Sequence, residues 1–273
     1  MKRRVLLCLM LALLVTAAGA VWGTAAMGAS AKWPVASGKS VKKNGKLKVD
    51  ASNINQGYFM ASLQKKSSKK MKLRVVKGKE SLTYDLNGKG DYEVFPFQYG
   101  SGKYEISLWE NVSGKKYSAA GKVTLTVKLK DDSFPFLYPN QYVDYTKASE
   151  AVKKAGELCE GKKTADAYKA VQDFMTNSFV YDYVKAVTVK AGVLPDIDGT
   201  YKKKMGVCQD LSAIMVCMLR TQGIPAKLVI GYVDKNYHAW TTATVNGKEI
   251  FFDPTAALNA ISAPKDYSTE RYY

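Results

Sequence analysis

The feature that most constrains the fold is the dipeptide Asn246-Gly247, which separates two runs typical of β-strands, HAWTTATV at 238–245 and EIFFD at 249–253. Both runs are rich in β-branched and aromatic residues. Asn-Gly between such runs favours a two-residue hairpin turn, because both turn residues must adopt positive φ. The sequence therefore predicts an antiparallel hairpin near the end of the chain.

The register of this hairpin brings a histidine close to an aspartate. In a two-residue turn Val245 pairs with Lys248, and the same register places Trp240 opposite Asp253. His238 shares a sheet face with Trp240 and becomes the diagonal neighbour of Asp253, with Cβ atoms within about 8 Å. Since His238 is the only histidine of the chain, the hairpin gives it a carboxylate partner.

A helix is predicted from Cys208, where the chain reads CQDLSAIMVCMLRTQGIP. Gly223 and Pro225 are typical of a helix end. The apolar spacing predicts an amphipathic helix with one buried stripe, formed by residues 211, 214, 215, 218 and 219.

Cys208 falls in the first turn of this helix. Unpaired N–H groups and the positive end of the helix dipole favour a thiolate there and can hold a developing oxyanion. Gly206, two residues earlier, allows a tight turn into the helix. Cysteine, histidine and aspartate are the parts of a thiol nucleophile, its base and the group that orients the base. We therefore predict a catalytic triad of Cys208, His238 and Asp253.

Three segments of the chain resemble the transglutaminase-like superfamily: GVCQDLSAIMVCMLRTQGIPAKLVIGY, HAW and DPT, in that order. The helical segment TADAYKAVQDFMTNSFVYD is similar to the one that precedes the nucleophile in that family. The resemblance covers roughly residues 140–260. It implies an α+β papain-like core in which a helix carrying Cys208 packs on an antiparallel sheet. It also implies that Cys208 is the nucleophile, His238 the general base and acid, and Asp253 the orienting carboxylate.

The resemblance further implies a second oxyanion donor upstream of or beside the cysteine. Gln209 and Tyr201 are the candidates for that role. Trp240 and Tyr237 flank the histidine and are candidates for lining the substrate groove. The segment 183–201 precedes the nucleophile and is a candidate for a lid or for narrowing the groove.

The N-terminal half has short strand-like runs such as KLKVD, MKLRVV and KVTLTVKL at intervals of 8–15 residues. This pattern predicts an all-β sandwich of the immunoglobulin type. Residues 32–130 hold 20 Lys and 1 Arg against 7 acidic residues, a net charge of +14, whereas residues 131–273 hold 17 basic and 17 acidic residues. Such a basic module suits an anionic wall polymer or membrane surface. Of the two interpretations, we favour a solvated sheet face that only confers solubility.

The chain begins with MKRR and an apolar run that ends in Ala-x-Ala, a pattern typical of a secretory signal or a retained anchor. The expected organisation is a signal or anchor at 1–29, a basic sandwich at 30–130, a linker at 131–140 and a catalytic domain at 141–273. We expect the protein to be secreted or held at the cell surface. Export and the scarcity of arginine argue against a nucleic-acid partner.

Cysteine usage limits the chemistry. A disulfide between Cys159 and Cys217 would leave Cys208 as the free thiol. The sequence shows neither Cys/His spacing typical of a metal site nor a glycine-rich phosphate loop, so we expect no metal and no cofactor.

Three functions remain open. The chain is a cysteine hydrolase of peptide or amide bonds in an envelope substrate, a transglutaminase that passes the acyl group to a lysine amine, or a non-catalytic surface protein with a papain-like core. We favour hydrolysis because residues 141–273 show neither an acidic cluster for an amine nor a calcium-loop motif.

Overall fold

The computed structural model describes residues 31–260 and 266–273, and the predicted signal or anchor at 1–29 lies outside them. The N-terminal part consists of strands joined by short turns. They are β1 (Val41–Asn44), β2 (Leu47–Asp50), β3 (Tyr58–Leu63), β4 (Met71–Lys77), β5 (Glu80–Leu86), β6 (Glu93–Pro96), β7 (Gly102–Ser113) and β8 (Lys116–Val127).

These eight strands form two antiparallel sheets of four, in the orders β1-β2-β3-β6 and β5-β4-β7-β8. The inner faces of the sheets meet through aromatic side chains. Tyr84 lies 5.0 Å from Phe95 and Phe97 lies 4.9 Å from Tyr104, between ring centroids. The all-β character that strand-like runs predict is therefore present, while the immunoglobulin relationship stays a prediction.

The C-terminal part combines helices with a sheet. Its elements are α1 (Glu150–Cys159), α2 (Thr164–Ser178), β9 (Val180–Tyr181), α3 (Tyr183–Thr188), α4 (Ile197–Lys203), β10 (Met205–Gly206), α5 (Cys208–Thr221), β11 (Ala226–Val233), β12 (Asn236–Val245), β13 (Lys248–Phe252), α6 (Pro254–Leu258) and β14 (Tyr267–Tyr272). The domain boundaries predicted from the sequence stay predictions.

The central helix α5 packs on an antiparallel sheet of order β13-β12-β11-β14. Every residue of α5 from Asp210 to Thr221 is buried, so the prediction of an amphipathic helix with one buried stripe was wrong. The physical reason is that α1, α2 and α4 cover the side of α5 that faces away from the sheet. Long-range packing, which local periodicity does not record, buries the polar residues as well.

The hairpin β12–β13 has the register that the Asn-Gly turn predicts. Val245 pairs with Lys248, and Asn246 and Gly247 have φ of 51° and 76°. The ladder ends at Phe252, so the predicted pairing of Trp240 with Asp253 does not form. The reason is that Pro254 begins α6, and Asp253 turns out of the strand as its N-cap.

Strand β14 connects the two parts of the chain. It pairs with β11 on one side, and the backbone oxygen of Tyr272 accepts a hydrogen bond from Gln98 of the sandwich. The Tyr273 ring stacks on Tyr142 at 3.6 Å between centroids. The segment 131–140, expected as a linker, contributes the buried residues 135–137 to the packing. The two parts therefore share a packed junction.

The structure also shows the state of the buried cysteines and the length of the helices. Cys159 and Cys217 are both free and buried, so the disulfide considered above is not formed. Within residues 31–260 and 266–273, no helix is both long and apolar enough to cross a membrane.

Candidate active site

Cys208 is the first residue of α5, directly after the short parallel pair β9–β10. In that pair Gly206 lies beside Tyr181. A Cβ at Gly206 would come within 2.6 Å of Cγ2 of Thr200 and 2.9 Å of Cβ of Asp210. Gly206 is therefore required for close approach, and the predicted tight turn is not the reason for it, since its φ is not in the left-handed region.

The start of α5 is fixed by the fully buried carboxylate of Asp210. Oδ2 of Asp210 accepts hydrogen bonds from the backbone N–H of Val207 at 3.0 Å and from Nζ of Lys185 at 2.7 Å. Oδ1 accepts from the N–H of Asp196 at 3.3 Å. A buried carboxylate needs such partners. The contacts also hold the segment after β9 against the helix that carries Cys208.

His238 lies on β12 and is oriented by Asp253. Nε2 of the imidazole donates to Oδ2 of Asp253 at 2.8 Å, and the hydroxyl of Tyr267 donates to the same oxygen at 2.7 Å. The other carboxylate oxygen accepts from the N–H groups of Thr255 at 2.9 Å and Ala256 at 3.2 Å. Asp253 therefore caps α6 and holds the histidine ring at once.

The charges of the pair are coupled. Burial disfavours the imidazolium, but its interactions with Asp253, which accepts a hydrogen bond from the ring, and with Cys208 outweigh burial and raise the pKa of His238 to about 9. Burial also opposes ionisation of Asp253, yet the hydrogen bond and charge of His238 hold the pKa of that carboxyl below its usual range. Since Nε2 is hydrogen-bonded to Asp253, Nδ1 is the ring nitrogen that remains to exchange a proton with Cys208. The arrangement favours a protonated imidazole beside the sulfur at neutral pH.

Cys208 and His238 line the same cavity, which has a volume of about 600 Å³. Two of the other candidates, Gln209 and Tyr237, line it as well. The end of α3 and the segment that follows it, both within residues 183–201, line one wall of the cavity. The wall residues are Ala186, Val189, Lys190, Ala191, Gly192 and Val193.

Two candidates lie elsewhere. Tyr201 is outside the cavity lining and belongs to an aromatic cluster with Phe174 and Phe179, with Nζ of Lys204 3.1 Å from its ring centroid. Trp240 is 2% exposed and packs behind His238, with ring centroids 6.3 Å apart. Neither side chain is part of the cavity lining, because Tyr201 packs in the aromatic cluster and Trp240 is buried in the sheet.

Gln209 reaches the cavity wall, where its Nε2 donates to the backbone oxygen of Val193 at 3.0 Å. This bond ties the wall segment to α5 and uses one amide proton of the candidate oxyanion donor.

Sequence reasoning missed two tyrosines of the site. Tyr181 lines the cavity, and burial together with the charge of Cys208 raises its pKa to about 12, so it keeps its proton. The motif that carries Tyr181, Tyr-Asp after the helix, was part of the resemblance and was the available signal. Tyr267 holds Asp253 from β14, and its isolated position in a polar C-terminal run gave no signal.

Among residues 31–260 and 266–273, no group of three or more His, Cys, Asp or Glu side chains has the arrangement of a metal site. The chemistry that the residues themselves offer is nucleophilic attack by sulfur with proton transfer by imidazole.

Residues 152–254 match the family described as the transglutaminase-like superfamily. The Uncharacterized protein YebA of Bacillus subtilis (strain 168) is 27% identical over 169 residues, which cover 59% of this chain and 22% of that protein. The chain thus spans about a fifth of the length of this curated relative.

Two solved structures are similar at lower identity. LapG of Legionella pneumophila is 14% identical with a TM-score of 0.36, over 45% of this chain and 74% of that one. The periplasmic domain of TgpA from Pseudomonas aeruginosa is 14% identical with a TM-score of 0.37, over 81% and 76%. The resemblance seen in the sequence is therefore confirmed as a match of residues 152–254 to the transglutaminase-like superfamily.

Proposed function

We propose that the chain is an exported cysteine-dependent enzyme that cleaves peptide or amide bonds through Cys208, His238 and Asp253. The observation that carries the proposal is the cavity that exposes Cys208, at the start of α5, together with His238, whose ring Asp253 holds at 2.8 Å. This placement supports assigning the roles of nucleophile, base and orienting group to these three residues.

The reaction proceeds in two steps. The Cys208 thiolate attacks the carbonyl carbon, a carbon–sulfur bond forms, and the carbon–nitrogen bond breaks as the His238 imidazolium gives its proton to the leaving amine. Water then attacks the thioester while His238 takes up a water proton. The acid product leaves, and the carbon–sulfur bond breaks to restore the thiolate–imidazolium pair. Asp253 stays ionised throughout and keeps Nε2 protonated.

The oxyanion of each tetrahedral intermediate is stabilised by hydrogen-bond donors at the cavity wall. Backbone N–H groups of the first turn of α5 have no partner within the helix and point toward its N-terminal end. The hydroxyl of Tyr181 is a second donor in this proposal, since Tyr181 lines the cavity beside Cys208 and stays protonated. Tyr181 takes the role for which Gln209 and Tyr201 were candidates.

Hydrolysis is favoured over lysine crosslinking by the charge of the cavity wall. Lys190 and Arg271 line the cavity, and none of its lining residues is acidic. An incoming lysine ammonium is repelled by these cations, whereas water is not.

The proposed site of action is the cell envelope. This part of the proposal rests on the export pattern of residues 1–29 and on the charge of +14 over residues 32–130. Four lysines of the sandwich, Lys46, Lys69, Lys72 and Lys122, form salt bridges. The remaining positive charge suits an anionic wall polymer or membrane surface.

The proposal is tested with p-nitrophenyl acetate as acyl donor. We expect a burst of p-nitrophenol and an acetyl group on Cys208 by mass spectrometry, absent in Cys208→Ala and slowed about 10²-fold in Tyr181→Phe. Monodansylcadaverine, a lysine-like amine, then competes with water for the thioester. Preferential release of acetate supports a hydrolase, and dominant amide formation supports the transglutaminase. Lack of acylation supports the non-catalytic alternative and overturns the proposal.

A further inference from the structure

The charged residues that line the cavity are basic, and none is acidic. Its two ionised side chains outside the Cys208–His238 pair are Lys190 and Arg271, which lie on different elements of the fold. The polar lining is completed by the side chains of Tyr142, Tyr181, Gln209 and Tyr237, none of which carries a negative charge at neutral pH. The carboxylate of Asp253 sits behind the histidine, where His238 and Tyr267 bind it.

Arg271 is placed by the sheet register. Ile230 on β11 pairs with Ala239 on one side and with Arg271 on the other, so these three residues share a sheet face. Tyr237 is two residues from Ala239 and shares that face. Arg271 and Tyr237 therefore share a face, about two strand spacings, or ~10 Å, apart, and both line the cavity.

The guanidinium of Arg271 is held in position. One Nη donates to the hydroxyl of Tyr237 and the other forms an ion pair with the neighbouring Glu270. The Arg271 side chain keeps 29% of its surface exposed. Glu270 is exposed on the strand and does not line the cavity. Water therefore screens the Glu270 carboxylate more than it screens the Arg271 guanidinium on the cavity side.

Lys190 lines the cavity from a different segment of the chain. It lies on the segment after α3, which Gln209 holds through Val193 and which the Lys185–Asp210 pair fixes at its base. Lys190 is exposed, and it forms no salt bridge with any residue in the described ranges. Two cations from separate segments of the chain therefore line the cavity that Cys208 also lines.

We infer that this site selects an anionic acyl substrate: a peptide with a carboxylate next to the carbonyl that Cys208 attacks, bound between Lys190 and Arg271. The inference rests on the proposed function, because it names the substrate class of the same site. A carboxylate is the group that two such cations bind best, and Arg271 is suited to it by its planar pair of donors. A neutral peptide of the same shape lacks this attraction.

Iodoacetate and iodoacetamide test the inference without a substrate. Both alkylate thiolates, have nearly the same shape and differ in charge. Labelling is read at Cys208 by peptide mapping, since Cys159 and Cys217 are buried. We expect the ratio of the iodoacetate rate to the iodoacetamide rate to exceed that of free N-acetylcysteine amide by about threefold or more, and to fall with added salt.

Variants assign the effect to the two cations. Arg271→Met and Lys190→Met should each lower the ratio about twofold or more, while Arg271→Lys should preserve most of it. Lys248→Met, which removes the same charge from the exposed end of the β12–β13 hairpin, should leave the ratio unchanged. Since Lys190 lies on an exposed loop, its variant keeps the test valid if Arg271→Met fails to fold.

Two different outcomes separate the substrate class from the proposed function. A Cys208 that reacts quickly with both reagents and depends on His238, but shows the ratio of the free thiol in all variants, overturns the anionic-substrate inference alone. A Cys208 that reacts slowly with both reagents, and equally slowly in His238→Ala, overturns the proposed function and the inference with it.

Discussion

Asp253 binds His238 through one carboxylate oxygen and caps helix α6 through the other. Oδ2 accepts from Nε2 of the imidazole at 2.8 Å, while Oδ1 accepts two backbone N–H groups at the start of the helix. The residue that orients the base is therefore itself fixed by secondary structure. Because each oxygen makes a different set of contacts, a substitution can remove the role of Asp253 toward His238 and keep its role as the cap of α6.

Asp253→Asn should keep the helix cap and lose catalysis. An asparagine oxygen still accepts from the N–H groups at the start of α6, because Asn and Asp are similar N-caps. The amide cannot stabilise an imidazolium or select the tautomer, so acylation should fall by about 10³-fold or more. Asp253→Ala should lose acylation to a similar degree and also cost about 1 kcal/mol in the free energy of unfolding. Retention of acylation in Asp253→Asn would exclude Asp253 as the orienting carboxylate.

The only histidine of the chain should titrate with a pKa of about 9, measurable by NMR from the imidazole protons of the untagged protein. Cys208→Ala and Asp253→Asn should each lower this pKa, because each removes a partner that favours the imidazolium. A pKa of His238 near the ordinary 6.5 in the wild type would contradict the thiolate–imidazolium pair.

The same shift predicts how stability depends on pH. The folded-state pKa of His238 is raised above its ordinary 6.5, so its contribution to stability is complete below that value and is lost as pH rises through about 9. The pKa of Asp253 is lowered, so its contribution is present above its ordinary 3.8 and is lost as pH falls further. The difference in Tm between wild type and His238→Gln should therefore shrink as the pH rises from 6.5 to about 9. A constant difference across that range would refute the linkage.

Gly206→Ala should disturb the position of Cys208. The new Cβ would lie 2.6 Å from Cγ2 of Thr200, a buried side chain, and relief requires backbone movement next to the nucleophile. We expect a loss of about 1–3 kcal/mol in stability and slower alkylation of Cys208. Adding Thr200→Ser removes that methyl group and should restore part of both losses. Wild-type behaviour of Gly206→Ala would show that the close approach is not required.

Arg220 should be essential to the junction between α5, the sheet and the segment before α1. Its fully buried guanidinium donates to the backbone oxygens of Tyr138, Ala226 and Tyr273 at 2.6–2.9 Å. Arg220→Met leaves three buried carbonyls without this donor and should cost about 3 kcal/mol or more. Arg220→Lys should recover only part of the loss, because an ammonium lacks the planar spread of donors. Urea denaturation measures both, and a change under 1 kcal/mol in Arg220→Met would contradict this role.

Local sequence signals predicted the central parts of the site. The Asn246-Gly247 turn fixed the β12–β13 register, which brings His238 near Asp253, and the cysteine before an apolar run located the start of α5. The hydrogen bond from Tyr267 to Asp253 was not predictable in this way. It depends on β14 returning to the edge of the sheet, a contact between segments with no local pattern.

Predictions failed where burial depends on distant elements. Periodicity gave α5 one buried stripe, whereas α1, α2 and α4 cover its other side and bury the whole helix. Tyr201 was an oxyanion candidate because it is an aromatic residue upstream of Cys208. Its ring instead packs with Phe174 and Phe179, because α2 and α4 meet behind the site.

The most direct test of the central claim is the rate at which iodoacetamide alkylates Cys208 as a function of pH, in wild type and in His238→Ala. We expect rapid labelling at neutral pH in the wild type, because His238 can accept the proton of the sulfur, and labelling at least about tenfold slower in His238→Ala. Labelling that becomes rapid only in alkaline solution, at the same rate in both proteins, would contradict a catalytic Cys208–His238 pair.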